Sequence, residues 1–181
     1  MKQLLETNEC KKCDLNRADL AKEKLAGANL RGANLREANL VLTGLAEANL
    51  TGADLTKANL RGTNLKKADL RRLNLTEANL HWTNLKGANL SGVNLSGVNL
   101  SGANLTEANL EGLSLERANL EGANLEGANL NYSNLQGTNL TNTNLTDAVL
   151  ASSRNFNTAN TTGANFCRTI MPNASKNKAR C

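Results

Sequence analysis

The side chains in this sequence with chemical reach are four cysteines, one histidine and an unevenly distributed set of charges. Cys10 and Cys13 stand three apart in NECKKCDL, a spacing that serves a disulfide, half of a zinc site or a redox pair. No second pair accompanies them, so the expected use is a structural bridge tying the start of the chain to its neighbouring residues. Cys167 follows Phe166 and is expected to face outward, and Cys181 ends the chain. His81 is the only histidine, so one chain supplies neither a histidine metal set nor a histidine–nucleophile pair. The carboxylates recur at regularly spaced polar positions, with no apolar pocket around any of them to tune a general acid or base. The expectation is no enzyme, no metal and no cofactor.

Charge is segregated along the chain. Residues 1–90 carry 15 basic and 10 acidic side chains, residues 91–150 one basic and six acidic, and residues 151–181 five basic and none acidic. Arg31, Lys66, Lys67, Arg71 and Arg72 could meet phosphates, but aromatics make up only 2% of the chain. Without stacking platforms, nucleic-acid binding is not expected. No apolar run exceeds a few residues, so no membrane span or leader is read, and the chain taken as given is expected in the cytoplasm.

The element that must position these groups runs from Leu15 to Leu150, where every fifth residue is leucine, 28 in all. Taking each leucine as a centre, Ala dominates two residues before it, and Asn or Asp one before it, at 20 and 4 of 28 positions respectively. Gly, Glu or Lys stands two after it. A period of five suits neither a helix nor a flat strand. A chain that turns through a right angle every five residues resolves this. Four repeats then make a square coil of 20 residues, all centres point inward, and coils stack at roughly 4.8 Å. Pro is nearly excluded from such a stack because coil amides must donate to neighbours, and the single Pro172 lies beyond the repeats.

Tandem units such as AGANL at 26–30, RGANL at 31–35 and EGANL at 121–125 resemble the pentapeptide repeat family. The resemblance implies an all-β fold, a right-handed quadrilateral β-helix with a short N-terminal helical cap. The run LLETNECKKCDL and the ending TIMPN are similar to the cyanobacterial and thylakoid-lumen members, which implies a lumen or periplasm as the alternative location. The resemblance implies two functional classes. One is a non-catalytic solenoid presenting side chains to a protein partner. The other is a DNA mimic that regulates a type II topoisomerase, and a lumenal protein without assigned role is a further alternative. Acidity for mimicry is confined to Glu107, Glu111, Glu116, Glu121, Glu126 and Asp147, between two basic ends.

In chain order, residues 1–12 are expected to form the helical cap, 13–150 the β-helix, 151–171 a phase-shifted end coil and 172–181 a disordered tail. Oligomerisation is possible through the coil ends. After Leu150 the core candidates are Phe156, Thr161 and Phe166, which implies one inserted residue. Sorting the small inward position by twenties separates an invariant alanine side, Ala28 through Ala148, from a roomier side holding Cys13, Ala33, Ala53, Leu73, Val93, Leu113 and Ser133. A different turn conformation is expected on the roomier side. A third side carries Thr43, Thr63, Thr83 and Thr143, a partial hydroxyl ladder. On the surface, Leu42 and Trp82 share one column two coils apart, with Gly62 between them and Val41, Arg61 and His81 adjoining. The indole is expected to lie flat toward Leu42 with Arg61 stacked on it. This apolar spot is the candidate partner-binding site.

Overall fold

The computed structural model of the protein describes residues 1–177, and Cys181 lies outside the described residues. Parallel bridges join each residue preceding a centre to its counterpart 20 residues later, as in Asp14 to Asn34, Asn34 to Asp54 and Asn59 to Asn79. The fold is a right-handed quadrilateral β-helix. From Leu20 onward the centre leucines are buried to within 1% of full exclusion, and the Ala, Val, Leu or Thr two before them is buried with them from residue 28 to 148.

The repeat closes because all five of its backbone N–H groups find acceptors. The centre donates to the next coil, Leu15 to the carbonyl of Asn34 at 2.8 Å, and so does the second residue after it, Arg17 to Arg36 at 2.8 Å. The residue before the centre donates to the preceding coil, Asn34 to Cys13 at 2.9 Å. The small inward residue closes a turn, Ala18 to Leu15 at 3.0 Å. The fifth N–H, one after the centre, has no backbone acceptor and is taken by the side-chain oxygen of the Asn or Asp two before it, as in Asn16 to Asp14 Oδ1 at 3.1 Å. Asparagine is thus a structural donor trap in nearly every repeat. Some amides also form the ladder, Asn84 Nδ2 donating to Asn64 Oδ1 at 3.2 Å and Asn144 to Asn124 at 3.0 Å.

The turn requires a left-handed residue two after the centre. Thirteen glycines adopt positive φ, all but Gly163 in the unshifted repeats, and non-glycine residues such as Lys57 (59°) and Arg72 (57°) take the same conformation. The roomier side is no exception, for Gly92 and Gly112 adopt φ of 74° and 68°. The expected change of turn is therefore not found. The larger side chains act between coils: among the described residues Asn94 makes no bridge to Asn74 or Ser114, beside Leu73, Val93 and Leu113. Bulk at the inward position wedges the ladder while leaving the corner unchanged.

The threonines do not hydrogen-bond to one another. Thr43, Thr63, Thr83 and Thr143 each donate to the carbonyl of a centre leucine 23 residues back, at 2.6–3.1 Å. That carbonyl already closes a turn, so the hydroxyl uses its second lone pair.

Helix α1, Lys2–Thr7, lies at the N-terminal end with Leu4 fully buried, and Asn8 ends it in the left-handed conformation. The ladder begins at Glu9, bridged to Asn29, earlier than the boundary at 13. Cys10 holds the place of a centre leucine and Cys13 that of the small inward residue. Their disulfide spans a 5.2 Å Cα separation across the first turn.

At the other end the bridge interval changes from 20 at Asn134–Arg154 to 21 at Asn139–Asn160. The extra residue is absorbed by left-handed Asn155 and the 3-10 turn Phe156–Thr158. Phe156 and Phe166 are half-buried and meet edge to face at 5.9 Å. Two expectations are corrected here. Cys167 is buried, 4% exposed, and does not face outward. Residues 172–177 are ordered: Ile170 bridges Lys176 antiparallel, and Asn177 N–H donates to Thr169 at 2.8 Å. The tail expectation for 178–181 lies outside the described residues.

Deleting residues 1–12 uncovers the first coil and is expected to drive end-to-end association, read by sedimentation; a truncated chain as monodisperse as the parent would show that Leu4 plugs nothing. In the core, Ala88→Leu is expected to destabilise by roughly 1–3 kcal/mol through overpacking. Ser133→Leu, on the side that already holds Leu73, Val93 and Leu113 buried, is expected to cost much less. Thermal melts showing the same loss for both variants would refute the distinction between the two sides.

Candidate functional site

Side chains two after the centre leave the corner in a fixed direction, because the left-handed backbone fixes Cα–Cβ. Where such a side chain is large, it leans over the residue one coil further on. Lys12 lies over Gly32, Lys67 over Gly87 and Arg72 over Gly92. Leu42 and Trp82 obey the same rule: a Cβ at Gly62 would collide with Leu42, and one at Gly102 with Cδ1 and Nε1 of Trp82. The indole therefore lies on Gly102, away from Leu42, which corrects the expectation that it leans back over Gly62. The missed sequence signal is the glycine 20 residues after the large side chain.

The remaining candidates gather around this ring. The Arg61 guanidinium stands 5.0 Å from the Trp82 ring centre, a cation–π contact. His81 stacks on the same ring, with centroids 4.2 Å apart and planes 27° off parallel. Its Nδ1 lies 2.9 Å from the Ser101 carbonyl and 2.7 Å from Ser101 Oγ. A carbonyl only accepts, so Nδ1 carries the proton, and the imidazole is held by the coil that carries Gly102. Val41 is half-buried beside Leu42. Trp82 and Leu42 remain 58% and 57% exposed. The five candidates thus form one surface strip along a corner, with Arg61 and His81 each in contact with Trp82 and Leu42 two coils away.

A second feature, across the rod, is a groove of about 500 Å³ lined by Arg31, Thr51, Arg71, Arg72 and Ser91. Sequence reasoning named these arginines but not their convergence. Arg71 is partly committed to Asp69, with Nε 2.8 Å from Oδ1 and Nη2 2.6 Å from Oδ2. Bonding to Arg71 holds the Asp69 carboxyl below its ordinary range. Lys66 and Lys67 sit at the preceding corner.

Charges elsewhere pair along columns. Arg17 meets Glu37 at 2.9 Å and Lys57 meets Glu77 at 3.7 Å. Glu107, Glu111, Glu116 and Glu121 fall on four successive corners and encircle the rod. Glu126 and Asp147 return to the corner of Glu107 on the next two coils, so three of these six acidic residues line one corner. Glu107 pairs with Lys86 at 3.6 Å, and Asp147 accepts from Arg168 Nε at 2.7 Å. Among the described residues no group of His, Cys, Asp or Glu could hold a metal ion, and no helix is long and apolar enough to cross a membrane.

A family model of pentapeptide repeats matches the chain in eight copies, over residues 13–43, 45–72, 74–112 and 108–147. No curated protein matches it. Among solved structures it is similar to HetL, a pentapeptide repeat protein involved in heterocyst differentiation regulation from Nostoc sp. strain PCC 7120. That similarity has 28% identity over 93% of this chain and 91% of HetL, with a TM-score of 0.33. A pentapeptide repeat protein from the Arabidopsis thaliana thylakoid lumen shares 24% identity over 81% of this chain and 71% of its own, with a TM-score of 0.21. QnrB1, a plasmid-mediated fluoroquinolone resistance protein, shares 15% over 86% and 82%, with a TM-score of 0.41.

Proposed function

The chain belongs to the pentapeptide repeat family, and from that premise we propose that it is a non-catalytic solenoid that binds a protein partner through the corner bearing Trp82. The observation that carries this reading is the exposed Trp82 indole, contacted by both Arg61 and His81 and sharing its corner with exposed Leu42. A large aromatic held rigid by its neighbours, with an arginine at its edge, is the composition of an interface anchor. Leu42 extends the strip, and Val41 flanks it. The absence of catalysis is part of the proposal. It is supported by the solvated carboxylates and by His81 being committed to Ser101.

The Cys10–Cys13 bond supports an oxidising compartment over the cytoplasm. Topoisomerase regulation by DNA mimicry is the competing class, and it is not favoured because the one acidic run along a corner is short, Glu107, Glu126 and Asp147, with Glu107 and Asp147 paired to Lys86 and Arg168. Mimicry needs charge repeated along one face at phosphate-like spacing.

Leu42→Ser with Trp82→Ser tests the proposal by pull-down from native extract, with the recovered protein identified by mass spectrometry, and by thermal melt. Recovery is expected to fall at least about tenfold, the loss of a single anchor's contribution, with an unchanged melt. Full recovery with an intact fold would remove this corner from consideration. The mimicry class predicts a dose-dependent block of gyrase supercoiling that is relieved by neutralising Glu111, Glu116 and Glu121. No inhibition is expected.

A further inference from the structure

We propose that the partner at the Trp82 corner is a second copy of this chain, laid antiparallel with the two-fold axis crossing the rod between the coils of Trp82 and Gly102. The inference rests on the interaction reading above and deepens it. Along this corner the paired positions are Val41–Leu42, Arg61–Gly62, His81–Trp82, Ser101–Gly102, Glu121–Gly122 and Thr141–Asn142. A two-fold axis at the stated level reverses their order in the second copy. Trp82 then faces Gly102 of the other chain, Arg61 faces Glu121, and Glu121 faces Arg61. An isologous contact needs this self-complementarity.

Three observations favour the arrangement. The indole leans over Gly102, which brings it to the level of the axis with the residue 58% exposed. The exposed parts of the two rings would therefore meet across the axis and bury each other. Gly122 leaves the corner low beyond the ring, since no heavy atom lies within 4 Å of where a Cβ there would stand. Arg61 and Glu121 make no ion pair with a side chain among the described residues, although both are exposed. They stand three coils apart, roughly 14 Å, so the two cross-pairs would flank the rings about 7 Å to either side.

Other corners fit a second copy less well. The corner of Arg17, Glu37, Lys57 and Glu77 already spends its charges on pairs within the column. The arginine groove would oppose a guanidinium that Asp69 holds. The strip is one corner wide, well below the roughly 800 Å² per partner of a standard interface. The dimer is accordingly weak, concentration-dependent and sensitive to salt.

Sedimentation velocity of the full chain over a concentration series, in low and high salt, reads the self-association directly. At low salt the chain is expected to shift from monomer to dimer, and emission from Trp82, the sole tryptophan, to shift to the blue in parallel. Arg61→Glu and Glu121→Arg, each alone, oppose like charges and should weaken the dimer by about tenfold or more. The combined swap restores opposite charges across the axis and should recover it, a result that a structural role for either residue would not produce. A chain that stays monomeric throughout at low salt overturns the proposal, as do single variants that dimerise like the parent or a folded double variant that does not recover. If the chain is monomeric while capture of a different protein still depends on Leu42 and Trp82, self-pairing fails and the interaction reading stands. Loss of both removes the corner from either role.

Discussion

The structure depends on the pairing of the fifth amide. A square coil can direct four of its five N–H groups per repeat to backbone carbonyls, up, down or across a turn. The one just after the centre points where no carbonyl lies, and in 24 of the 28 repeats an Asn or Asp precedes the centre to receive it, the exceptions being Lys24, Gly44, Ser114 and Val149. The Asn or Asp before the centre supplies the acceptor, at 3.0–3.1 Å in Thr51 and Ser91 for example. Leucine fills the interior, and this acceptor fastens most of the corners at which the chain turns. The left-handed residue next in the repeat is the second condition. Glycine meets it at no steric cost, whereas Lys, Glu, Arg and Trp meet it here because the stacked coils fix their backbone.

The coil is legible in the sequence because a single inward column dictates it: unbroken leucine at five admits no helix and no flat strand. The features hidden from the sequence arise from interactions between coils. The asparagines suggest a ladder, and some do bond one another, but their shared role is the local acceptor. Leu73, Val93 and Leu113 suggest a different turn, yet the turn is set by φ at the corner and the bulk is relieved between coils at Asn94. The inward place of Cys10 is hidden because it precedes the first leucine of the unbroken series. Only its register, a multiple of five from Leu15, marks it as the first inward residue.

The surface strip is partly legible for the same reason. Counting by twenties groups Val41, Leu42, Arg61, His81 and Trp82, and the structure keeps them on one corner. The direction in which the indole leans cannot be read from columns, since it depends on the handedness of the backbone two after the centre. Once that direction is fixed, the sequence acquires a further rule: a large corner residue needs glycine, or a side chain that yields, one coil later. Trp82 with Gly102 and Leu42 with Gly62 satisfy it, as do Arg72 with Gly92 and Glu107 with Gly127.

A rod built this way has a restricted functional range. Its interior is filled by leucine side chains, which leaves little room along the described coils to desolvate and tune a carboxylate or imidazole. Its exterior consists of four corners whose residues repeat at the coil spacing, so the available chemistry is that of linear arrays. A column with alternating charges neutralises itself, as Arg17 with Glu37 and Lys57 with Glu77 do, and offers little to a partner. A column whose basic and acidic members are too far apart to meet retains both for use in trans. Segregating charge between residues 1–90 and 91–150 creates that condition for Arg61 and Glu121, with the one tryptophan between them. The same segregation that leaves the rod unsuited to imitating uniformly negative DNA makes this corner complementary to its own reverse.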